Sequence, residues 1–265
     1  MEICSIASGS SGNCIYVGND NTHILVDTGI SKKRVVEGLH QIGIKPEEID
    51  AVLITHEHSD HIQGLGVFCR KYGTKVYATK GTAFAIENCK SLGKLPEGLI
   101  ETVSYGEDFL VGDINVHPIQ ISHDAAEPTA YRFENGDQKT AVMTDLGYFD
   151  DRIVKELQNL DGILLEANHD VCMLQVGPYP YPLKQRILGN RGHLSNENSG
   201  RLLDRILHDN MKQIILGHLS KENNLPELAF ETVKLEITLG NSEYKGTDFP
   251  ISVARRDICS PLVTL

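Results

Sequence analysis

The stretch Thr55-His56-Glu57-His58-Ser59-Asp60-His61 constrains this chain more than any other feature. It gathers three histidines and an aspartate within six residues, just after the apolar run Ala51-Val52-Leu53-Ile54. Such a run reads as a buried strand, and at a strand end alternate side chains share a direction. His56 and His58 therefore point the same way, while the turn into a following helix brings Asp60 and His61 round. One loop of this kind can feed two adjacent metal sites. Imidazole nitrogen and carboxylate oxygen at this density suit zinc, and also manganese or iron, better than calcium or magnesium. The plain alternative, a solvated His-rich turn, would be a wasteful use of these residues after a buried strand.

A site built from that loop alone is incomplete, so further ligands are expected at other strand ends. His123 follows a predicted strand over Ile114 to Ile121, Asp145 follows one over Thr140 to Thr144, and His218 follows one over Gln213 to Gly217. Each alone would pass for an ordinary polar loop residue; with the first loop, their order and location favour ligands. His23, His40, His117 and His208 lie within or beside predicted strands and helices and read as structural or surface residues. His169 and His193 stay open.

Other strands are predicted over Glu2 to Ala7, Cys14 to Val17, His23 to Val26, Ala51 to Thr55, Lys75 to Ala78, Ala130 to Phe133 and Gly162 to Glu166, from length and β-branched content. Helices are predicted over Lys32 to Gln41, His61 to Tyr72, Thr82 to Lys90, Asp150 to Gln158, Pro182 to Leu188, Asn196 to His208 and Pro226 to Leu239. The number of strands suggests two sheets. Ile24-Leu25-Val26-Asp27-Thr28-Gly29 is echoed by Val142-Met143-Thr144-Asp145-Leu146-Gly147, each an apolar strand delivering an aspartate into a glycine turn. With no low-complexity linker, the expectation is one domain, 1–265, of two similar halves.

Composition narrows the function classes. The longest apolar runs fall far short of the roughly 20 residues of a membrane-spanning helix, so no membrane partner is expected. The start Met1-Glu2-Ile3-Cys4 has no basic stretch followed by an apolar one, so the expected location is cytoplasmic. The six cysteines are scattered, contain no CxxC pair and read as buried thiols. A formal net charge of -11 argues against a broadly basic nucleic-acid surface, though not against a local one.

The motif His56-x-His58-x-Asp60-His61, with Asp27, His123, Asp145 and His218 in order, resembles the signature of the metallo-β-lactamase-fold hydrolase superfamily. The resemblance implies an α/β (α+β) fold, a four-layer αβ/βα sandwich of two mixed β-sheets flanked by helices, with metals at the edge between the sheets. It implies His56, His58 and His123 on a first ion, Asp60, His61 and His218 on a second, and Asp145 bridging both. Asp27 matches a position that supports the ligand loop by hydrogen bonding rather than binding metal. Ser8-Gly9-Ser10-Ser11-Gly12-Asn13, Glu166-Ala167-Asn168-His169-Asp170 and Gly192-His193-Leu194-Ser195-Asn196 look like the YycJ/WalJ branch, whose members are regarded as DNA exonucleases, 5′-to-3′ in polarity.

The expected activity is therefore a dinuclear hydrolase of phosphodiester bonds, with two divalent ions, Zn or Mn with Fe possible, about 3.5 to 4 Å apart and a bridging hydroxide as nucleophile. Asp60 would orient or deprotonate the nucleophile. His193 is the candidate proton donor to the leaving alkoxide, with His169 second. DNA is a better substrate candidate than RNA, and the backbone could be tracked by Lys32, Lys33 and Arg34, by Lys184, Arg186 and Arg191, and by Arg255 and Arg256. The Ser/Gly run could offer an anion nest, which makes Ser10, Ser11 and Asn13 candidate substrate contacts; His169 is a further candidate contact. The alternative is a small-molecule hydrolase of the same fold acting on a thioester, lactone or phosphodiester. An acid at Asp145 argues against antibiotic hydrolysis as the main task, leaving at most weak β-lactamase activity.

Overall fold

Apolar residues at consecutive strand positions require cover on both faces, and two facing sheets with outer helices provide it. The computed structural model describes residues 1–265. Its first sheet runs, in spatial order, β14 (Val263–Thr264), β1 (Glu2–Ala7), β2 (Cys14–Gly18), β3 (His23–Val26), β4 (Ala51–Leu53), β5 (Lys75–Thr79) and β6 (Ile100–Val103). The second runs β13 (Ile251–Val253), β12 (Gln213–Gly217), β11 (Gly162–Glu166), β10 (Gln138–Met143), β9 (Thr129–Asn135), β8 (Ile114–Gln120) and β7 (Phe109–Val111). In the first, pairing is antiparallel from β14 to β3 and parallel from β3 to β6. In the second it is antiparallel from β7 to β10 and parallel from β10 to β13. β3 and β10 thus occupy the same place, where antiparallel pairing gives way to parallel.

Strand side chains alternate between two cores, as a period of two demands. Ile15, Val17, Ile24 and Val26 of the first sheet meet Val116, Phe133, Val142 and Leu164 of the second in the layer between the sheets. Cys14, Tyr16 and Leu25 turn outward onto α1 (Lys32–Gln41) and α3 (Leu65–Tyr72), with α4 (Lys80–Glu87) on the same side. Ala141, Met143, Ile163 and Leu165 turn outward onto α5 (Asp151–Glu156), α8 (Asn196–Ile206) and α9 (Pro226–Leu239). Each fully buried Leu, Ile or Val contributes about 1.5–3 kcal/mol of transfer free energy. The layers are those of the expected αβ/βα sandwich.

Several expectations are corrected. The helix expected over His61 to Tyr72 is two pieces, α2 (Ser59–Ile62) and α3. At the break, Gly64 donates to Thr28 O, and a Cβ there would lie 2.0 Å from Ile30 O. The edge strands β6, β7, β13 and β14 were not expected, nor was α6 (Val171–Val176), whose first turn Asp170 caps by accepting from Met173 N. The helix after it, α7, covers Tyr181–Leu188. No helix is long and apolar enough to cross a membrane. All six cysteines are free.

Candidate metal centre

The site lies at the carboxyl ends of the parallel strands, where open α/β sheets generally bind ligands. Asp27 follows β3, Asp145 follows β10 after Thr144, and His218 follows β12; all three have left-handed backbones, with φ of 62°, 57° and 55°. Such conformations cost about 1–3 kcal/mol each and persist only where surrounding contacts enforce them. Enforcement is visible around Asp27, whose N–H donates to Leu53 O while Thr28 N donates to His61 O. His218 N donates to Ser8 Oγ at 2.8 Å. Tyr131 donates its hydroxyl proton to Ile54 O, and Thr129 N donates to Thr55 O, so β9 pins the start of the His56 loop.

The seven residues expected as ligands converge. His58 Nδ1 lies 3.0 Å from His56 Nε2 and 3.3 Å from His123 Nε2. Asp60 Oδ2 lies 3.5 Å from both His61 Nε2 and His218 Nε2. Asp145 stands between these groups, one oxygen 3.2 Å from His61 Nε2 and the other 3.6 Å from His123 Nε2. His56, His58 and His123, and separately Asp60, His61 and His218, form clusters that can hold a metal ion.

The far ring nitrogens are held by protein. His61 Nδ1 donates to Asp27 Oδ2 at 2.7 Å, His218 Nδ1 to Glu166 Oε1 at 2.7 Å, and His123 Nδ1 to Gly192 O at 3.0 Å. In the neutral ring such bonds fix the tautomer and turn the Nε2 lone pair to the cluster; at His61 and His218, whose affinity for a proton the surrounding carboxylates raise, a cation would take the place of that proton. Asp145 Oδ2 and His218 Nε2 are buried without a hydrogen-bond partner, an arrangement that is costly unless something else satisfies them. Nitrogen lone pairs converging with orphaned carboxylate oxygen fit a divalent cation.

Electrostatics agree with that fit. Burial disfavours charge on every group here. His56 is accordingly pushed well below the usual histidine range, first by desolvation and then by His61. For His218 burial is outweighed by Asp145, Asp60 and Glu166, which raise it to about 10. Asp145 is held well below the carboxylate range because His218 and His61 overcome its desolvation. Asp27, fully buried, is raised mainly by desolvation. Buried negative charge of this density calls for positive charge between the carboxylates.

Glu166, the last residue of β11, has no role assigned by its sequence motif, yet it is a hub. Its Oε1 accepts from His218 Nδ1 and, at 2.9 Å, from His193 Nδ1, and its Oε2 accepts from Leu146 N and Leu194 N. The histidines overcome its burial and hold its pKa at about 2. A charged residue closing an otherwise apolar strand was the available signal, the same one that marks Asp145. His193 also lies 3.4 Å from Asp145 Oδ1, so it joins the centre.

His169 does not join it. Its ring is buried, Nδ1 lies 3.3 Å from Asn168 Oδ1, and desolvation lowers it to about 4. Asn13 is also fully buried, with its amide spent on Gly9 and Asp60 O and lying 3.2 Å from His61 Nε2. Both side chains are buried, and Asn13 braces the loop that carries Asp60 and His61. Ser10 and Ser11 are exposed at the tip of the Ser/Gly turn.

Of the basic groups, Arg191 donates to His123 O and Arg186 pairs with Asp124, on one side of the centre. On the other side Arg256 donates to Leu219 O and Arg34 donates to Arg256 O. Lys33 pairs with Glu37, and Lys184 donates to Gln175 O. A depression of about 530 Å³, lined by Glu57, Ser59 and Gln63, adjoins the His56–His61 loop, and another of about 300 Å³ is lined by His123, Arg191 and Tyr105.

Comparison with known proteins agrees with this geometry. The β-lactamase superfamily domain matches residues 22–218. The exodeoxyribonuclease WalJ of Streptococcus pneumoniae (strain D39) is 44% identical over 260 residues, covering 98% of this chain and 96% of WalJ. The exodeoxyribonuclease YycJ of Bacillus anthracis is 42% identical over 229 residues, 86% of each chain. Among solved structures, zinc-bound PqqB from Methylobacterium extorquens superposes with a TM-score of 0.73 over the full length of both chains at 15% identity, a likeness of fold. The chain belongs to the β-lactamase superfamily of metal-dependent hydrolases, in the branch that contains WalJ and YycJ.

Proposed function

We propose that this protein is a dinuclear metal-dependent exodeoxyribonuclease that hydrolyses DNA phosphodiester bonds, 5′-to-3′, in the cytoplasm. The observation that carries the reading is the convergence of two ligand triads on either side of Asp145, in a chain 44% identical to an exodeoxyribonuclease over nearly its whole length. His56, His58 and His123 would hold one ion, Asp60, His61 and His218 the other, and Asp145 both. Two ions, zinc or manganese with iron as an alternative, would supply Lewis acidity toward a phosphodiester and lower the pKa of the attacking water. Six free thiols suit a reducing compartment.

The chain's own residues account for the remaining steps. Asp60 has a side chain 25% exposed, against 2% for Asp145, which supports a role in orienting or deprotonating the nucleophile. His193 is 14% exposed, and its Nδ1 is committed to Glu166, so Nε2 is the atom left to give a proton to the leaving alkoxide. Arg191 and Arg256, which donate to the backbone carbonyls of His123 and Leu219, with the ion-paired Arg186 and Arg34 beside them, offer positive charge next to the centre in a chain of net charge -11. The open depression beside His123 and Arg191 supports a polymer over a metabolite. The matched halves around β3 and β10 support one domain of two similar units.

The test incubates protein, with Mn or Zn, with 5′- and 3′-labelled single- and double-stranded DNA, with RNA, and with a thioester, alongside His58→Ala. Expected is stepwise release from the 5′ end of DNA, lost in the variant. Intact polymers with thioester turnover would overturn the nuclease reading.

A further inference from the structure

The two ends of the chain meet away from the metal centre. β14 pairs with β1, and beyond that ladder Ser260 N donates to Ser5 O at 2.8 Å while Ser5 N donates to Ser260 Oγ at 2.9 Å. These bonds hold the backbone beside Cys4 against the backbone beside Cys259. The two sulfurs stand 3.4 Å apart, although the residues are separated by 255 positions. Cys4 is fully buried and Cys259 half-buried. Cys259 is also among the residues that line a cavity of about 350 Å³, with Arg255, Ile258, Ser260 and Pro261.

We propose that Cys4 and Cys259 form a reversible redox site, a dithiol that a hydroperoxide oxidises to an intramolecular disulfide. The Cys259 thiolate attacks the peroxide O–O bond, gaining oxygen to become a sulfenic acid and releasing hydroxide or alkoxide. Cys4 sulfur then attacks the sulfenic sulfur; the S–S bond forms, the S–O bond breaks, and the Cys4 proton leaves with the oxygen as water. The two thiols lose two electrons, which the peroxide takes up, and an external dithiol reverses the reaction by exchange.

The division of labour follows from the surroundings. Cys259 is lowered chiefly by its hydrogen bond with Cys4, whereas Cys4 is raised chiefly by the same bond and then by burial. The accessible thiol is thus the one that ionises first, and the buried thiol keeps its proton for the second step. Closure to the roughly 2.05 Å of a disulfide brings together sulfurs already 3.4 Å apart, on segments held by the Ser5–Ser260 bonds. The bridge would join β1 to the segment that braces the metal side, where Arg255 O accepts from Ser8 N and Arg256 donates to Leu219 O.

The test treats the full chain with equimolar hydrogen peroxide, alkylates remaining thiols and maps unreduced peptides by mass. Expected are a mass loss of about 2 Da, a peptide pair joining residues 4 and 259, and full reversal by a dithiol. Cys259→Ser should abolish all three, whereas Cys172→Ser, which removes an exposed thiol elsewhere, should leave them. The wild-type map needs no variant to fold. The oxidised chain should also melt about 5 °C or more higher, since the bridge closes nearly the whole chain into one loop. Oxidation that stops at sulfinic acid on Cys259, or a bridge from Cys259 to Cys14 or to a second molecule, would overturn the proposal.

Discussion

Glu166 and His218 are joined by a 2.7 Å hydrogen bond from Nδ1 to Oε1, and the same oxygen receives His193 Nδ1 at 2.9 Å. One buried carboxylate therefore orients both a candidate ligand and the candidate proton donor. Glu166→Gln keeps the volume, but its amide nitrogen cannot accept; whichever way it turns, it faces N–H donors, from the histidines or from Leu146 and Leu194. Hydrogen bonds to a charged group contribute about 1.5–3 kcal/mol each, and loss of such supporting bonds typically costs 10–100-fold in metal affinity or activity. Metal content after dialysis and DNA hydrolysis at saturating metal should both fall in this range. Normal values for both would show that Glu166 is only a core residue.

Gly29 is where the echo between the halves becomes steric. A Cβ on Gly29 would lie 1.6 Å from the carbonyl oxygen of Asp60, and one on Gly147, its counterpart, 2.2 Å from Asn190 O. Both neighbours are backbone and cannot swing aside. Gly29 N donates to Asn13 O, and Asn13 N donates to Asp60 O, so the three segments form one clamp on the ligand loop. Gly29→Ala should displace that loop, lower activity at least tenfold and release metal, because a shift of about 1 Å at a catalytic group can cost about 10²-fold. Full activity and metal content in this variant would mean that the loop is more compliant than its contacts indicate.

The reach of the sequence is set by range. His56, His58, Asp60 and His61 are legible because they lie on one loop, and Asp27 and Asp145 because each closes an apolar run. Glu166 meets His193 and His218 across 27 and 52 positions, and Ser8 meets His218 across 210. Nothing local announces these pairs. The edge strands β6, β7, β13 and β14 were missed because an edge covered on fewer sides needs no continuous apolar run; β13, Ile251–Val253, has no fully buried residue. The burial of Asn13 and His169 is illegible for a related reason, since a polar residue in a Gly/Ser turn or a His-Asp pair looks exposed until the fold covers it.

Removal of metal should be visible as lost stability as well as lost activity. Without a cation, Asp145 Oδ2 and His218 Nε2 are buried donors and acceptors with no partner, each costing about 1–3 kcal/mol. A ligand present at a hundredfold excess over its Kd stabilises by about 2.7 kcal/mol, which for a chain of this size corresponds to roughly 5–10 °C in Tm per ion. Chelation followed by calorimetry should lower the midpoint by that amount, and added Mn or Zn should restore it. Asp145→Ala should bind fewer ions than wild type by elemental analysis, and unchanged stoichiometry would contradict a bridging role.

Acid sensitivity should arise partly at Asp204, far from the metal site. This α8 carboxylate accepts from Asn241 N at 2.9 Å, Ser242 N at 3.1 Å and the Ser242 hydroxyl, tying the turn after α9 back onto α8. Partial burial pushes its pKa up, but the three hydrogen bonds outweigh that and hold it below the usual carboxylate range. A carboxyl depressed in the folded state binds its proton more weakly there than in the unfolded chain. Its stabilisation is therefore complete above the unfolded value of about 3.9 and is lost as pH falls through the folded one. After allowance for solvent screening the contribution is about 1 kcal/mol, equivalent to about 2–4 °C in Tm. Asp204→Asn should melt lower than wild type by this margin at pH 7, and the gap should close progressively below about pH 4. A gap that stayed constant down to pH 2 would assign the effect to packing instead of charge.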